Sequence, residues 1–155
     1  MGETARILVV DDDENIRKVL IAILEDEGYT VESAGTAKKA IETTKKKFYN
    51  VALIDIRLPD MEGTELLLHI RETVPRMRKI IITGYPTLQN AIDAVNRKAD
   101  AYIMKPFDVD KVLETIKDQL EKQKQEKAYS QDKVAEFIET RVRELSMHEV
   151  ATTKP

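Results

Sequence analysis

The sequence predicts an α/β fold: a doubly wound, five-stranded parallel sheet of order 2-1-3-4-5 followed by a C-terminal helical extension. Three observations predict it. Short apolar runs such as Ile7-Leu8-Val9-Val10, Val51-Ala52-Leu53-Ile54 and Ala101-Tyr102-Ile103-Met104 alternate with longer stretches whose apolar residues recur at helical spacing. Each of those runs ends in charge, at Asp11-Asp12-Asp13, at Asp55 and at Lys105-Pro106. The connections are long enough to hold a helix, which makes successive strands parallel, and parallel strands end on one edge. With right-handed crossovers and a switch point between the first and third strands, Asp11, Asp12 and Asp55 become neighbours on the edge where open α/β sheets bind ligands.

The elements follow in order. Residues 6–10 form the first strand. Asn15 to Glu27 carry Ile16, Val19, Leu20, Ile23 and Leu24 at the i, i+3, i+4, i+7, i+8 spacing of an amphipathic helix, and Gly28 ends it as a C′ residue. Tyr29 to Ser33 are a short, less apolar strand near an edge. Ala37 to Lys47 form a second helix with Ala40, Ile41 and Thr44 inward, and Lys45-Lys46-Lys47 lies where the helix dipole favours cations. Val51 to Ile54 are a buried strand closed by Asp55, and Leu58-Pro59-Asp60-Met61-Glu62-Gly63 is a loop. Thr64 to Val74 are predicted as a third helix, stopped by Pro75. Lys79 to Thr83 are a fourth strand. Thr87 to Arg97 are a fourth helix with Leu88, Ala91, Ile92 and Val95 on one face. After the last strand, Ala101 to Met104, Asp108 caps a fifth helix from about Val109 to at least Gln119.

Size and composition divide the 155 residues into a domain over 1–120 and a tail over 121–155. The tail is expected to hold a charged linker and an amphipathic helix, with no output domain. Glu121 to Lys127 contain no apolar residue, a break is expected near Tyr129-Ser130-Gln131-Asp132, and an apolar stripe follows at Val134, Phe137, Ile138, Val142 and Leu145. Leu113, Ile116, Leu120, Val134 and Phe137 share a heptad frame, but Gln123, Lys127 and Ser130 interrupt it, which argues against a strong coiled coil. The stripe either packs back on the domain, pairs with a second copy in a homodimer, or docks on a partner. Apolar content of 42% suffices for a core, and a net charge of −3 gives no general attraction to nucleic acid or anionic membranes. There is no cysteine, so neither disulfides nor thiolate metal sites arise. No apolar stretch approaches the ~20 residues of a membrane span, and the N-terminus has no apolar signal region. The expected location is the cytoplasm.

The chemistry follows from the crowding. Carboxylates within ~5 Å of one another repel by several kcal/mol, and a divalent cation relieves that. Mg²⁺ takes hard oxygen ligands, one or two of them carboxylates, and keeps several waters. Asp11, Asp12 and Asp55 supply such a set. Thr83 brings a hydroxyl to the same edge, and Lys105 an ammonium that neutralises a bound phosphoryl group. A carboxylate can itself be the nucleophile, forming an aspartyl-phosphate whose oxygens are clamped by the metal and the lysine.

Taken together, Val9-Val10-Asp11-Asp12-Asp13, Leu53-Ile54-Asp55-Ile56-Arg57-Leu58-Pro59-Asp60-Met61-Glu62-Gly63, Ile82-Thr83-Gly84-Tyr85 and Tyr102-Ile103-Met104-Lys105-Pro106-Phe107 make residues 6–119 resemble a receiver domain of two-component response regulators, most closely the nitrogen-regulation type. The resemblance implies a flavodoxin-like receiver fold with Asp55 as phosphoacceptor. It implies Mg²⁺ on Asp11, Asp12, Asp55 and the backbone carbonyl of Arg57. Thr83 and Lys105 would bind the phosphoryl oxygens, Tyr102 would be the switch aromatic, and the Lys105-Pro106 bond would be cis. The expected partners are a sensor histidine kinase or phosphotransfer protein and a downstream effector protein, with no direct nucleic-acid contact and no membrane. The chain would be a switch that catalyses only its own phosphorylation and dephosphorylation. One departure is Lys98-Ala99, where receivers commonly have Gly-Ala; a lysine in a left-handed cap is strained by about a kcal/mol.

Two other functions compete. Asp11-Asp12-Asp13 resembles the Asp-x-Asp start of haloacid-dehalogenase-type phosphatases, with Asp11 as nucleophile and Asp13 as acid. Alternatively, the chain is the N-terminal fragment of a DNA-binding transcriptional regulator. Arg57 and Tyr85, each two positions after a site residue, are expected to flank the phosphate and limit access of water. His69 and His148 lack metal-ligand spacing and are expected to be ordinary helix or surface residues.

Overall fold

Alternating side chains on the central strands decide where each helix packs. The computed structural model describes residues 4–84 and 87–153, with side chains through residue 147. β1 (Arg6–Val10), β2 (Thr30–Ala34), β3 (Val51–Asp55), β4 (Arg78–Thr83) and β5 (Ala101–Met104) form one parallel sheet in the predicted order β2-β1-β3-β4-β5. On one face Leu8, Val10, Ala52, Ile54 and Ile81 pack with Ala37 and Ala40 of α2 (Ala37–Lys46), Leu66 of α3 (Gly63–Leu66) and Ala94 of α4 (Leu88–Asn96). On the other, Ile7, Val9, Val51, Leu53, Ile80, Ile82 and Ile103 meet Leu20 and Leu24 of α1 (Glu14–Asp26) and Val112 and Ile116 of α5 (Val109–Thr153). Helices on both faces bury β3 and β4 throughout, which is why these strands read as runs without polar alternation. β2, at the edge, stays partly open.

Three elements differ from expectation. The third helix ends at Leu66 rather than Val74. Beyond it, the amides of Leu68 and His69 reach back only three residues, to Glu65 and Leu66, and Arg71 Nε is drawn onto the Thr44 carbonyl at 2.7 Å. The Ile70 amide still reaches four residues back, to Leu66, but beyond it Thr73 accepts from the Met77 amide and donates to the Pro75 carbonyl, so side chains rather than a continued helical ladder hold residues 71–77. Leu66, Leu67 and Ile70 are nevertheless buried, so the apolar spacing was real and turns satisfy it. On α4 the apolar face lies in solvent at Leu88, Ile92 and Val95, and Ala94 is the buried contact. Finally, α5 runs unbroken through Tyr129–Asp132. Residues 109–153 contain no glycine or proline, and the few tenths of a kcal/mol that Ser130 and Asp132 cost do not break a helix. Pairs such as Arg143–Glu139 and Arg141–Glu144 lend it slight support.

Contacts divide the chain into a compact unit, Met1–Gln123, and a second unit, Lys124–Pro155. In the second, Val134, Phe137, Ile138, Val142 and Leu145 are all exposed. At the N-terminal edge of the sheet the first unit is closed by a buried polar network. Gln123 donates to the Asn50 and Arg76 carbonyls and accepts from Asn50 Nδ2, while Asp100 pairs with Arg76 and Arg78.

The fourth helix does end in a left-handed residue. Lys98 has φ +66°, and the Ala99 amide returns to the Ala94 carbonyl at 2.8 Å in a helix-terminating turn. Lys98→Gly relieves that strain and is expected to raise stability by about 1 kcal/mol in urea unfolding; no gain would mean the lysine side chain compensates.

Candidate functional site

β1 and β3 are adjacent, with Val10 opposite Ile54, so the next residue of each chain places Asp11 beside Asp55 at the C-terminal edge. The Asp11 amide is anchored on the Ala34 carbonyl at 3.1 Å, and Arg17 Nη1 donates to the Asp11 carbonyl at 2.7 Å. Asp11 and Asp55 are buried and Asp12 is exposed, and one carboxylate oxygen from each lies within 4.8 Å of the others. Lys105 reaches across from β5. Its Nζ is 2.8 Å from Asp11 Oδ2 and 3.5 Å from Asp55 Oδ1. The peptide bond after it, to Pro106, is cis, as the resemblance implies.

The electrostatics are those of an anionic cleft with one resident cation. Burial pushes the Asp55 carboxyl up to about 6, Lys105 opposes that, and the charges of Asp11 and Asp12 add to it. Burial alone would lower Lys105, but its hydrogen bond and ion pairs with Asp11 and Asp55 outweigh this and raise it. Three carboxylates against one ammonium leave a charge of about −2 when all are ionised, which a divalent cation would cancel. The donor set fits Mg²⁺: all oxygen, crowded, and open to water on the side of exposed Asp12.

The other predicted residues fall around this centre. Thr83, fully buried, is the last residue of β4, one beyond the partner of Asp55, and its carbonyl accepts from the Lys105 amide at 2.7 Å. Arg57 is exposed, and its backbone pairs with that of Glu62 in an isolated antiparallel β-bridge across the loop that follows Asp55. Tyr102 packs inward against the cluster holding Ala94, and its buried hydroxyl has no hydrogen-bond partner among the described residues. Tyr85 lies outside the described residues, as does the side chain of His148. His69 is half-exposed beside Glu65, apart from the carboxylate cluster.

The phosphatase arrangement is not favoured. Both Asp11 oxygens are engaged, Oδ1 by the Asp13 amide and Oδ2 by Lys105. The Asp13 carboxylate caps α1, accepting from the amides of Asn15 and Ile16, so it is committed to the helix and is not a free acid. Two contributors escaped the sequence reading. Arg17 holds the backbone of Asp11, and nothing in its position on α1 signals that. Asp60 lies in a loop that reads only as a turn, yet its carboxylate binds the first amides of α2. Gly63 had a weak signal, as loop punctuation, but its necessity is spatial: a Cβ there would overlap the Asp55 carbonyl oxygen.

Residues 7–117 match the family described as response regulator receiver domain. The Klebsiella oxytoca transcriptional regulatory protein ZraR is 36% identical over 119 residues, 77% of this chain and 27% of that protein. A putative NtrX-like response regulator of Rickettsia bellii is 36% identical over 113 residues, covering 72% and 24%. The chain thus spans about a quarter of the length of these curated relatives. Among solved structures, a CheY-like receiver from Methanospirillum hungatei JF-1 is 48% identical with a TM-score of 0.77, over 80% of this chain and 99% of that one. The receiver of NtrC4, solved as a beryllofluoride-activated dimer, is 38% identical with a TM-score of 0.71, over 76% and 98%.

Proposed function

The chain belongs to the response regulator receiver domain family, and from that premise we propose that it is a switch set by phosphorylation of Asp55. The observation that carries the reading is the bridging of Asp11 and Asp55 by Lys105, with Asp12 completing a divalent-cation site. Mg²⁺ would be held by Asp11, Asp12, Asp55 and the Arg57 carbonyl, and it would supply positive charge for a phosphoryl group in transfer. Asp55 is the nucleophile. Its carboxylate oxygen forms the bond to phosphorus as the donor's bond breaks. Lys105 exchanges part of its contact with Asp11 and Asp55 for the incoming phosphoryl oxygens, and the Thr83 hydroxyl donates to another.

The donor is a sensor histidine kinase or phosphotransfer protein, and the chain catalyses no reaction on other substrates. Phosphate shifts the population between two surface states. Tyr102, whose buried hydroxyl is unsatisfied among the described residues, reports that shift as the switch aromatic. The exposed apolar stripe at Val134–Leu145 is the surface that a downstream effector or a second copy covers. Among the described residues no helix is long and apolar enough to cross a membrane, and the proposed site of action is the cytoplasm.

Incubation with Mg²⁺ and acetyl phosphate or phosphoramidate tests the reading by intact mass and residue mapping. One phosphoryl group on Asp55, lost in Asp55→Asn and without Mg²⁺, is the expected result. No label at Asp55, together with no beryllofluoride binding, would overturn it.

A further inference from the structure

Between Asp55 and α3 the chain makes a loop that the proposed metal site depends on, because the Arg57 carbonyl lies in it. Its base is closed by the Gly63 amide on the Ile56 carbonyl at 2.6 Å and by the Arg57–Glu62 bridge. Leu58 and Met61 rest partly buried against the core. The tip is held differently. The exposed carboxylate of Asp60 spans the first turn of α2: Oδ1 accepts from the Ala37 amide and Oδ2 from the Lys38 amide, each at 2.9 Å. These hydrogen bonds hold its carboxyl below the usual carboxylate range.

Helix α2 already has its own cap. The Thr36 hydroxyl accepts from the Lys39 amide at 3.1 Å. The two remaining free amides of the first turn are taken by a residue more than twenty positions downstream, and the positive end of the helix favours its charge. The same β2–α2 junction also holds the other side of the cluster, since the Ala34 carbonyl accepts the Asp11 amide. One short piece of backbone, Ala34 to Lys38, therefore references both Asp11 and the loop after Asp55.

We propose that Asp60 is a positioning residue for the metal site: by fastening the 57–62 loop to the N-terminus of α2, it presents the Arg57 carbonyl in register with Asp11, Asp12 and Asp55. The proposal rests on the reading of that cluster as a Mg²⁺ site. An untethered loop samples other geometries, and apparent affinity falls by the fraction of time spent in the competent one.

The test is Mg²⁺ titration by calorimetry on the full chain, with amide hydrogen exchange at Ala37 and Lys38. Asp60→Ala is expected to weaken Mg²⁺ about fivefold, and Asp60→Asn, which keeps one acceptor, about twofold. Thr87→Ala removes the equivalent cap from α4, a helix that does not hold the loop, and it should leave Mg²⁺ affinity unchanged. If Asp60→Ala fails to fold, Asp60→Asn carries the comparison. Unchanged affinity in the Asp60 variants, with Ala37 and Lys38 losing protection, would reduce Asp60 to a helix cap and overturn the proposal. So would a Thr87→Ala defect as large as that of Asp60→Ala. A parent chain that binds no Mg²⁺ would overturn the metal reading as well.

Discussion

With divalent cations chelated at about pH 7.5, Asp55→Asn is expected to unfold with a free energy about 2–3 kcal/mol above that of the parent. The cause is the cost of holding an ionised carboxylate in a buried, anionic cleft. Folding raises the Asp55 carboxyl from its ordinary 3.8 to about 6, burial first, with Asp11 and Asp12 adding to it against Lys105. Between those two values the folded chain holds a proton that the unfolded chain has already released. Stability therefore falls as pH rises from about 4 to about 6, and the loss persists above that range. The amide carries no charge, so the advantage of Asp55→Asn should vanish near pH 4. It should shrink when Mg²⁺ is added, because the cation stabilises only the chain that binds it fully. Urea titrations at both pH values, with chelator and with Mg²⁺, measure all four numbers. Equal stability of the two chains at neutral pH would mean that Lys105 already neutralises the cleft.

Gly63→Ala carries the second large effect. The added Cβ would overlap the Asp55 carbonyl oxygen and crowd Ile54 Cγ2 at 3.0 Å. Neither obstacle can give cheaply. Asp55 ends a fully buried strand paired with β4, and Ile54 is in the core. Nor can Gly63 retreat, since its amide is bonded to the Ile56 carbonyl. The expected loss is about 3 kcal/mol in urea unfolding, the scale of overpacking a rigid core. Because relief requires moving either the strand end or the loop, Mg²⁺ affinity should fall with it. A loss under about 1 kcal/mol would show that the loop yields to a methyl group, and the close approach would then impose no constraint.

Much of this molecule was legible before folding. Unbroken apolar runs at residues 7–10, 51–54 and 80–82 stated that these strands are covered on both faces, and the helical spacing between them stated what covers them. The order of the sheet followed from crossover handedness, and with it the meeting of Asp11, Asp12 and Asp55. Those inferences succeed because side-chain periodicity and chain chirality are local properties that the global fold must obey.

What the tertiary structure decided was everything that depends on one segment meeting another at a distance. Residues 67–74 have helical spacing but are held as turns, because Arg71 and Thr73 find backbone partners that a helix would not offer. Gln123 reads as an interruption in a heptad, yet it is buried, satisfied by Asn50 and the Arg76 carbonyl. The left-handed Lys98 could be suspected from its place after a helix, but only the backbone shows that the chain accepts the strain there. The roles of Arg17 and Asp60 were silent for the same reason. A hydrogen bond between residues six or twenty-three positions apart leaves no periodic trace, because it is set by where two backbones converge and not by the composition of either. Sequence by itself determined the sheet and the identity of the charges at its edge; only the packed structure determined which backbone groups hold those charges in place.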